Sequence, residues 1–202
     1  MAQTIDTADS PLSPRLVLGS TSPRRLELLG QLGVVPARIC APDIDETPRR
    51  AEKPRDYALR MAQEKAQVIA LAPGEVVLTG DTVVSAGRRI LPRAATPGEV
   101  AECLFLLSGR RHHVMTAIAT MDADGHLRTR LVDSIVAFAP LTGATISAYA
   151  TSGDGIGKAG GYAIQGGAGA FVRWMSGSYS AIVGLPLFDT RALLITAGFP
   201  LV

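Results

Sequence analysis

The 202-residue chain reads as an α/β protein. Two observations carry that reading. Apolar runs of strand length, such as Leu16-Val17-Leu18 and Val76-Val77-Leu78-Thr79, alternate with stretches of helical periodicity. Helix-start signals, Ser22-Pro23 and Thr96-Pro97-Gly98-Glu99, open several of those stretches. The chain has no internal repeat of about 20–50 residues and no convincing linker. It divides into a loose tail over residues 1–14 and one folded unit over 15–202.

The first unit, Leu16 to Gly33, organises the rest. A buried strand is broken by Gly19-Ser20-Thr21-Ser22. Ser22 suits the N-cap and Pro23 the first helical position. Leu26, Leu29 and Leu32 then mark the helix face, and Gly33 stops it. Arg24 and Arg25 are the exception: two cations occupy the first turn, where the macrodipole favours anions. Free amides, hydroxyls and two guanidiniums converge there, as a phosphate-like anion requires.

Ala37 to Cys40 reads as a short strand. Asp43, Asp45 and Glu46 lie between Pro42 and Pro48 in a loop. Arg49 to Lys53 reads as polar and exposed. Pro54 opens a helix with Tyr57, Ala58, Met61, Ala62, Val68 and Ile69 on one arc, and Pro73-Gly74 ends it. Lys65 falls inside that arc, either snorkelling or pointing into a site. After strand Val76–Thr79, the residues Gly80-Asp81-Thr82 interrupt a run that resumes at Val83-Val84. Asp81 either accepts backbone N–H bonds at a turn or serves a site, because a buried carboxylate needs a partner. Ala86-Gly87-Arg88 turns the chain into a return strand at Ile90-Leu91.

Thr96 to Glu99 is a capping box, with Val100, Leu104 and Leu107 on the buried face. His112–Met121 and Leu127–Phe138 pair across the turn Asp122-Ala123-Asp124-Gly125. Thr142 to Tyr149 is a short helix. Of the 17 residues from Gly153 to Gly169, eight are glycine, too many for a regular element, yet Lys158, Tyr162 and Gln165 argue against a linker. Phe171–Met175 and Tyr179–Val183 read as strands, and Leu187–Ala197 as the last helix.

Composition excludes several classes. Hydrophobic residues make up 47%, which supports a sizeable core. A net charge of +2 is too mild for a surface that coats nucleic acid. Cys40 and Cys103 form no CxxC pair, so reduced core thiols are expected rather than a disulfide or zinc scaffold. No apolar run spans a membrane and the start is not a secretory signal, so the cytoplasm is the default compartment. The glycine stretch fits neither the GxxxxGK[ST] loop nor a Rossmann turn. His112, His113 and His126 lack metal-ligand spacing. Tyr162, Phe171 and Trp174 suit a core or pocket wall. What remains is a set of oddly placed cations, Arg24, Arg25, Lys65, Arg93 and Lys158, with the acids Asp45, Glu46 and Asp81. That combination suits a polyphosphate bound with Mg²⁺, which takes hard oxygen ligands from one or two carboxylates and the phosphates themselves.

With STSPRRLELLGQLG (20–33), DIDE (43–46), the lysine of EKA (64–66), GDT (80–82), LSGRRHHVMTA (107–117), KAGGYAIQG (158–166) and GSYSAIVGLPL (177–187) in this order, the chain resembles the Maf-type nucleoside triphosphate pyrophosphatases. The resemblance implies an elongated mixed β-sheet flanked by helices, with a central cleft, as in Maf and ITPase-like folds. It implies hydrolysis of a nucleoside triphosphate between the α- and β-phosphates, with Mg²⁺ or Mn²⁺, and a homodimer. It makes Asp81 the proton acceptor and Glu46, with Asp81, the metal holder. It places Lys65 and Arg25 in the chemistry and Ser20, Ser22, Arg24, Arg93 and Lys158 on the substrate. Arg24, Thr82 and Gln165 match the dTTP/UTP branch. The resemblance leaves two other readings: a non-hydrolytic nucleotide-binding regulator of septum formation or cell division, and the same chemistry on 7-methyl-GTP. Three departures stand out: Arg93 where the family usually has lysine, TGD for GAD before Thr82, and Asp154 where glutamate is usual.

Overall fold

The structure, a computed structural model, describes residues 14–201. The expected tail over residues 1–14 lies outside the described residues, apart from Pro14. Strand β1 (Arg15–Gly19) is buried on both faces through Leu16, Val17 and Leu18. It pairs in parallel with β2 (Arg38–Ile39) and with β3 (Glu75–Ala86). β3 pairs antiparallel with β4 (Arg89–Leu91) and β5 (Arg111–Asp122). β6 (Leu127–Phe138) and β7 (Val172–Ser176) follow, also antiparallel. Among the described residues these strands form one mixed sheet in the order β2-β1-β3-β5-β6-β7, with β4 branching from β3.

Strand alternation divides the core into three clusters. Val17, Val77, Val83, Ala117 and Ala119 point to one face, covered by α2 (Pro54–Gln67) through Tyr57, Ala58, Met61 and Ala62. The intervening residues point to the other face, which carries two clusters instead of one. Leu16, Leu18, Leu78 and Ile118 pack with α1 (Pro23–Gln31) and α6 (Leu187–Thr196). Val84, Val114, Val136 and Phe138 pack with α3 (Pro97–Leu107) and α4 (Gly143–Ser152). Between Leu78 and Val84, that face of β3 carries only Gly80 and Thr82. Between Ile118 and Val114, β5 carries only Thr116. The apolar cover therefore stops where the sheet presents a glycine and two hydroxyls.

Several sequence expectations are corrected. Gly80-Asp81-Thr82 is not a break, because β3 runs through it in register with Ile118, Ala117 and Thr116 of β5. Asp81 thus lies mid-strand, with no turn for it to cap. Tyr179–Val183 is a single helical turn, α5, not a strand. The Ser178 hydroxyl caps it by accepting from Ala181 N at 3.2 Å, and Gly177 and Gly184 flank it at φ +104° and +135°. Leu26 is 39% exposed, because the inward arc of α1 runs through Arg25, Leu28 and Leu29. α2 ends at Gln67, before Pro73-Gly74, and leaves Val68 exposed. Trp174 is exposed on β7, with the Arg111 guanidinium 4.9 Å over its ring. Cys103 is buried, whereas Cys40 is only partly so. Glu52, expected to be exposed, is tucked against Arg60 at 2.6 Å.

His112 is buried among aromatic rings, and desolvation holds its pKa down at about 4, with His113 adding to the effect. The neutral imidazole is favoured in the folded state, so its stabilising contribution is complete above about pH 6.5 and fades as pH falls towards 4. The unfolding free energy should drop across that window by roughly 3 kcal/mol on this account. Chemical denaturation at pH 7, 5.5 and 4.5 measures it, and His112→Gln should show a flatter slope.

Candidate active site

A cavity of about 510 Å³ opens where the apolar cover stops. Every substrate-binding, catalytic and metal residue expected from the sequence lines it except Asp81, which lies just beneath.

The β1–α1 turn forms one wall. β1 ends at Gly19, paired with Thr79, so Ser20 stands beside the polar stretch of β3. Ser22 holds the N-cap position, but its side chain makes no cap bond; its N–H donates to Ser20 Oγ at 3.2 Å. Arg25 is buried and its guanidinium is used internally. Nε donates to Gly184 O at 2.9 Å, Nη1 to Ser20 Oγ at 3.1 Å and Nη2 to Thr82 Oγ1 at 3.4 Å. Thr116 Oγ1 donates to Ala181 O at 2.7 Å, so in its 3.0 Å contact with Thr82 it must accept. The proton order is therefore fixed: Arg25 to Thr82, Thr82 to Thr116, Thr116 to α5. Gly80 relieves crowding against β5, since a Cβ there would lie 3.1 Å from Ala117 O and 3.3 Å from Ile118, while Arg25 Nε would be in ordinary contact at 3.5 Å. Burial lowers the Arg25 pKa to about 10, with the neighbouring Arg93 and Arg24 adding and Asp81 opposing. Arg24, one residue earlier, lines the cavity, and its buried Nε has no protein partner among the described residues. Burial, then Arg93, lowers its pKa too.

The acidic groups meet on a lysine. Lys65 Nζ lies 2.7 Å from Asp81 Oδ1 and 2.8 Å from Glu46 Oε1. Arg93 Nη2 also reaches Asp81 Oδ1, at 3.2 Å. Asp81 Oδ2 makes no hydrogen bond among the described residues. Burial would raise the Glu46 pKa, but the Lys65 hydrogen bond and the charges of Lys65, Arg93 and Arg25 outweigh it and lower the pKa. The loop carrying Glu46 is pinned by side chains of α2. Tyr57 OH donates to Glu46 O at 2.7 Å, and Arg60 donates to Thr47 O at 3.1 Å while pairing with Glu52.

The glycine-rich stretch closes the other side. Ala159 bridges to Arg93, which brings Lys158 beside it. Lys158 Nζ donates to Ile156 O at 3.3 Å; burial and then Arg24 lower its pKa. Gly160 sits at φ +67°, and a Cβ there would lie 2.7 Å from Val84, so glycine is needed for this close packing. Gln165 is exposed at the rim, and its amide makes no protein hydrogen bond among the described residues.

Sequence reasoning missed Thr116, Tyr57 and Arg60. The signal for Thr116 was its two-residue spacing from Val114 on β5. For Tyr57 it was the i, i+4, i+8 line through Met61 to Lys65. His126, expected to have no metal partners, lies with Asp122 and Asp124 so that their ligand atoms are within 4.8 Å. Asp122 there accepts from Asp124 N, His126 N and His126 Nδ1, so the bonds of the turn account for the grouping. No described helix is long and apolar enough to cross a membrane.

Comparison with known proteins is consistent with this geometry. The family described as Maf-like protein matches residues 15–197. A dTTP/UTP pyrophosphatase of Sphingopyxis alaskensis is 61% identical over 93% of this chain and 99% of its own. Those of Novosphingobium aromaticivorans and Caulobacter vibrioides are 56% and 54% identical, over 92% of this chain and 93% and 97% of theirs. Among solved structures, a nucleoside-triphosphatase (dITP/XTP pyrophosphatase) of Mycobacterium abscessus aligns at TM-score 0.40 and 17% identity, over 63% of this chain and 74% of its own.

Thr116→Val should leave Ala181 O without its donor and the Thr82 hydroxyl proton without its acceptor. The expected loss is about 1–3 kcal/mol of stability, read by denaturant titration, with the sheet intact by circular dichroism.

Proposed function

Because the chain belongs to the Maf-like family, we propose that it is a hydrolase that splits dTTP or UTP into the monophosphate and pyrophosphate. The observation that carries this reading is the convergence on one cavity of five cations from four separate stretches of sequence, beside two carboxylates. Arg24, Arg25, Lys65, Arg93 and Lys158 outnumber Glu46 and Asp81 by three charges. That surplus suits a triphosphate, and it favours the charge that spreads over phosphoryl oxygens during transfer.

The donor set fits a divalent cation. Glu46 and Asp81 are held side by side on the Lys65 ammonium through Oε1 and Oδ1, each keeping a second hard oxygen, and substrate phosphates and waters would complete the shell. When bound there, Mg²⁺ or Mn²⁺ would neutralise phosphate charge and polarise the reacting centre. The chain's own residues do the rest. Lys65 and Arg93 fix Asp81 through Oδ1, which leaves Oδ2 to accept a proton from the attacking water. The water oxygen forms a bond to the α-phosphorus. The bond from that phosphorus to the bridging oxygen breaks, and pyrophosphate leaves with the electron pair. Arg24 and Lys158 hold phosphate oxygens. Arg25 acts by holding Ser20 and Thr82 in place.

Base choice rests on Gln165. Its amide offers one donor and one acceptor, which matches the adjacent carbonyl and N–H of uracil or thymine. Cytosine presents the opposite pattern there and would leave polar groups unpaired. A panel of nucleoside triphosphates, assayed for pyrophosphate release, tests the reading. dTTP and UTP should lead CTP and the purines, and equal rates would refute the base assignment.

Asp81→Asn should lower turnover by roughly 10²–10⁴-fold while nucleotide binding persists. Full activity in that variant removes the proposed base. Chelation with EDTA should abolish turnover, and added Mg²⁺ or Mn²⁺ should restore it.

A further inference from the structure

The motif around His112 has no part in the chemistry above, yet His112 is buried to 1% exposure and reaches the glycine-rich segment. Its Nε2 lies 2.8 Å from Tyr162 OH, and its Nδ1 has no partner among the described residues. Tyr162 is itself buried and stands between Lys158 and Gln165 in the chain. We propose that His112 and Tyr162 are positioning residues for base selection: their hydrogen bond sets the place of the segment that presents Gln165 to the cavity. The inference rests on the dTTP/UTP reading above.

Backbone bonds tie the first half of the segment to the stretch after β4: Gly157 N donates to Ala94 O, Ala94 N to Lys158 O and Gly160 N to Pro92 O. Tyr162 and Ala163 belong to no helix or strand. Two side chains from outside the segment hold them: His112 on Tyr162 OH, and Tyr149, whose hydroxyl accepts from Ala163 N at 3.2 Å. Gly166 N donates to Ala163 O, Ile164 is buried in the core and Gly167 N reaches Asp154 Oδ2 at 3.4 Å, so these anchors hold the turn that carries Gln165 on its N-terminal side. His112 is on β5, on the same face as Val114 and Thr116, and so ties the segment to the rigid sheet.

The pair is suited to positioning rather than proton transfer. Burial among the Phe138 and Tyr162 rings favours the neutral imidazole and the neutral phenol. Neutral His112 and Tyr162 carry one N–H and one O–H, and a single bond between them fixes one distance. Reading a base by two hydrogen bonds demands placement within a fraction of an ångström, whereas phosphate binding by several cations tolerates a shift. Loosening this anchor should therefore damage discrimination more than turnover.

Tyr162→Phe removes the hydroxyl and keeps the ring on Phe138. In wild type and variant, kcat and KM for UTP and CTP are measured, with hydrogen exchange of the amides at 158–166. The UTP-to-CTP ratio of kcat/KM should fall by about tenfold, mainly through KM for UTP, and exchange should quicken in that segment. His112→Phe should give the same loss, and the double variant no further loss, because one bond is removed in each case. His112→Gln, which keeps a donor, should recover part of the ratio. An unchanged ratio in Tyr162→Phe, or losses that add in the double variant, would overturn the assignment even where wild type prefers UTP. Wild type that turns over no pyrimidine triphosphate would instead overturn the reading of function and this assignment with it. If Tyr162→Phe folds poorly, Tyr149→Phe loosens the second anchor, and it should lower the same ratio; no change there counts against the assignment.

Discussion

Lys65 and Asp81 are both almost completely buried, and burying such groups without a partner is costly. Their 2.7 Å pair is what joins the two sides of the molecule. α2 covers one face of the sheet with apolar side chains, but its Lys65 ammonium is fixed by a carboxylate on β3. Removing one partner of such a pair leaves an uncompensated buried charge, a loss of about 3–5 kcal/mol. The pair opposes sliding or rotation of the helix on the sheet, together with the Thr79 hydroxyl, which donates to Ala62 O at 2.6 Å. Glu46 shares the same ammonium, so the loop before α2 is fixed by the same constraint.

The cleft follows from a second constraint, the two-residue repeat of a strand. Facing α2, β3 and β5 present Val77, Val83, Ala117 and Ala119. On their other face the apolar series is interrupted at Gly80, Thr82 and Thr116. Two clusters grow on either side of the gap, and neither can close it, because hydroxyls there need partners. Arg25 supplies some of those partners from α1, and the Ala181 carbonyl supplies another from α5. A polar chain inside a hydrophobic frame is thus the floor of a site open to a charged ligand.

Much of this was legible in order along the chain. The strand–turn–helix at Leu16–Gly33, the capping box at Thr96 and the β5–β6 hairpin rest on local signals, and each is found where those signals lie. Local signals failed where distant residues decide. Gly80-Asp81-Thr82 looks like a break, because glycine and aspartate rarely sit mid-strand. Yet pairing with Ile118 to Thr116 carries the strand through. Tyr179–Val183 has strand-like residues, yet Ser178 and two positive-φ glycines wind it into a turn. Lys65 was ambiguous because its partners lie 16 and 19 positions away, a distance no periodicity reports. The cations were recognisable as misplaced, but their convergence was not readable from spacing.

The misplaced arginines show how the conflict is resolved. Two guanidiniums at a helix N-terminus oppose the macrodipole. In a helix consecutive side chains diverge by about 100°, so Arg24 and Arg25 cannot share an environment. Arg25 turns inward, where the Gly184 carbonyl and the Ser20 and Thr82 hydroxyls offset the unfavourable field. Arg24 turns to the cavity, where no carboxylate among the described residues pairs with it and Arg93 and Lys158 add to the same charge. The conflict is thus settled within the fold for one arginine and left open for the other. A polyanion in the cavity would meet Arg24, the positive end of the same helix and Lys158 together. The electrostatic conflict in this turn and its capacity to hold phosphate have the same origin.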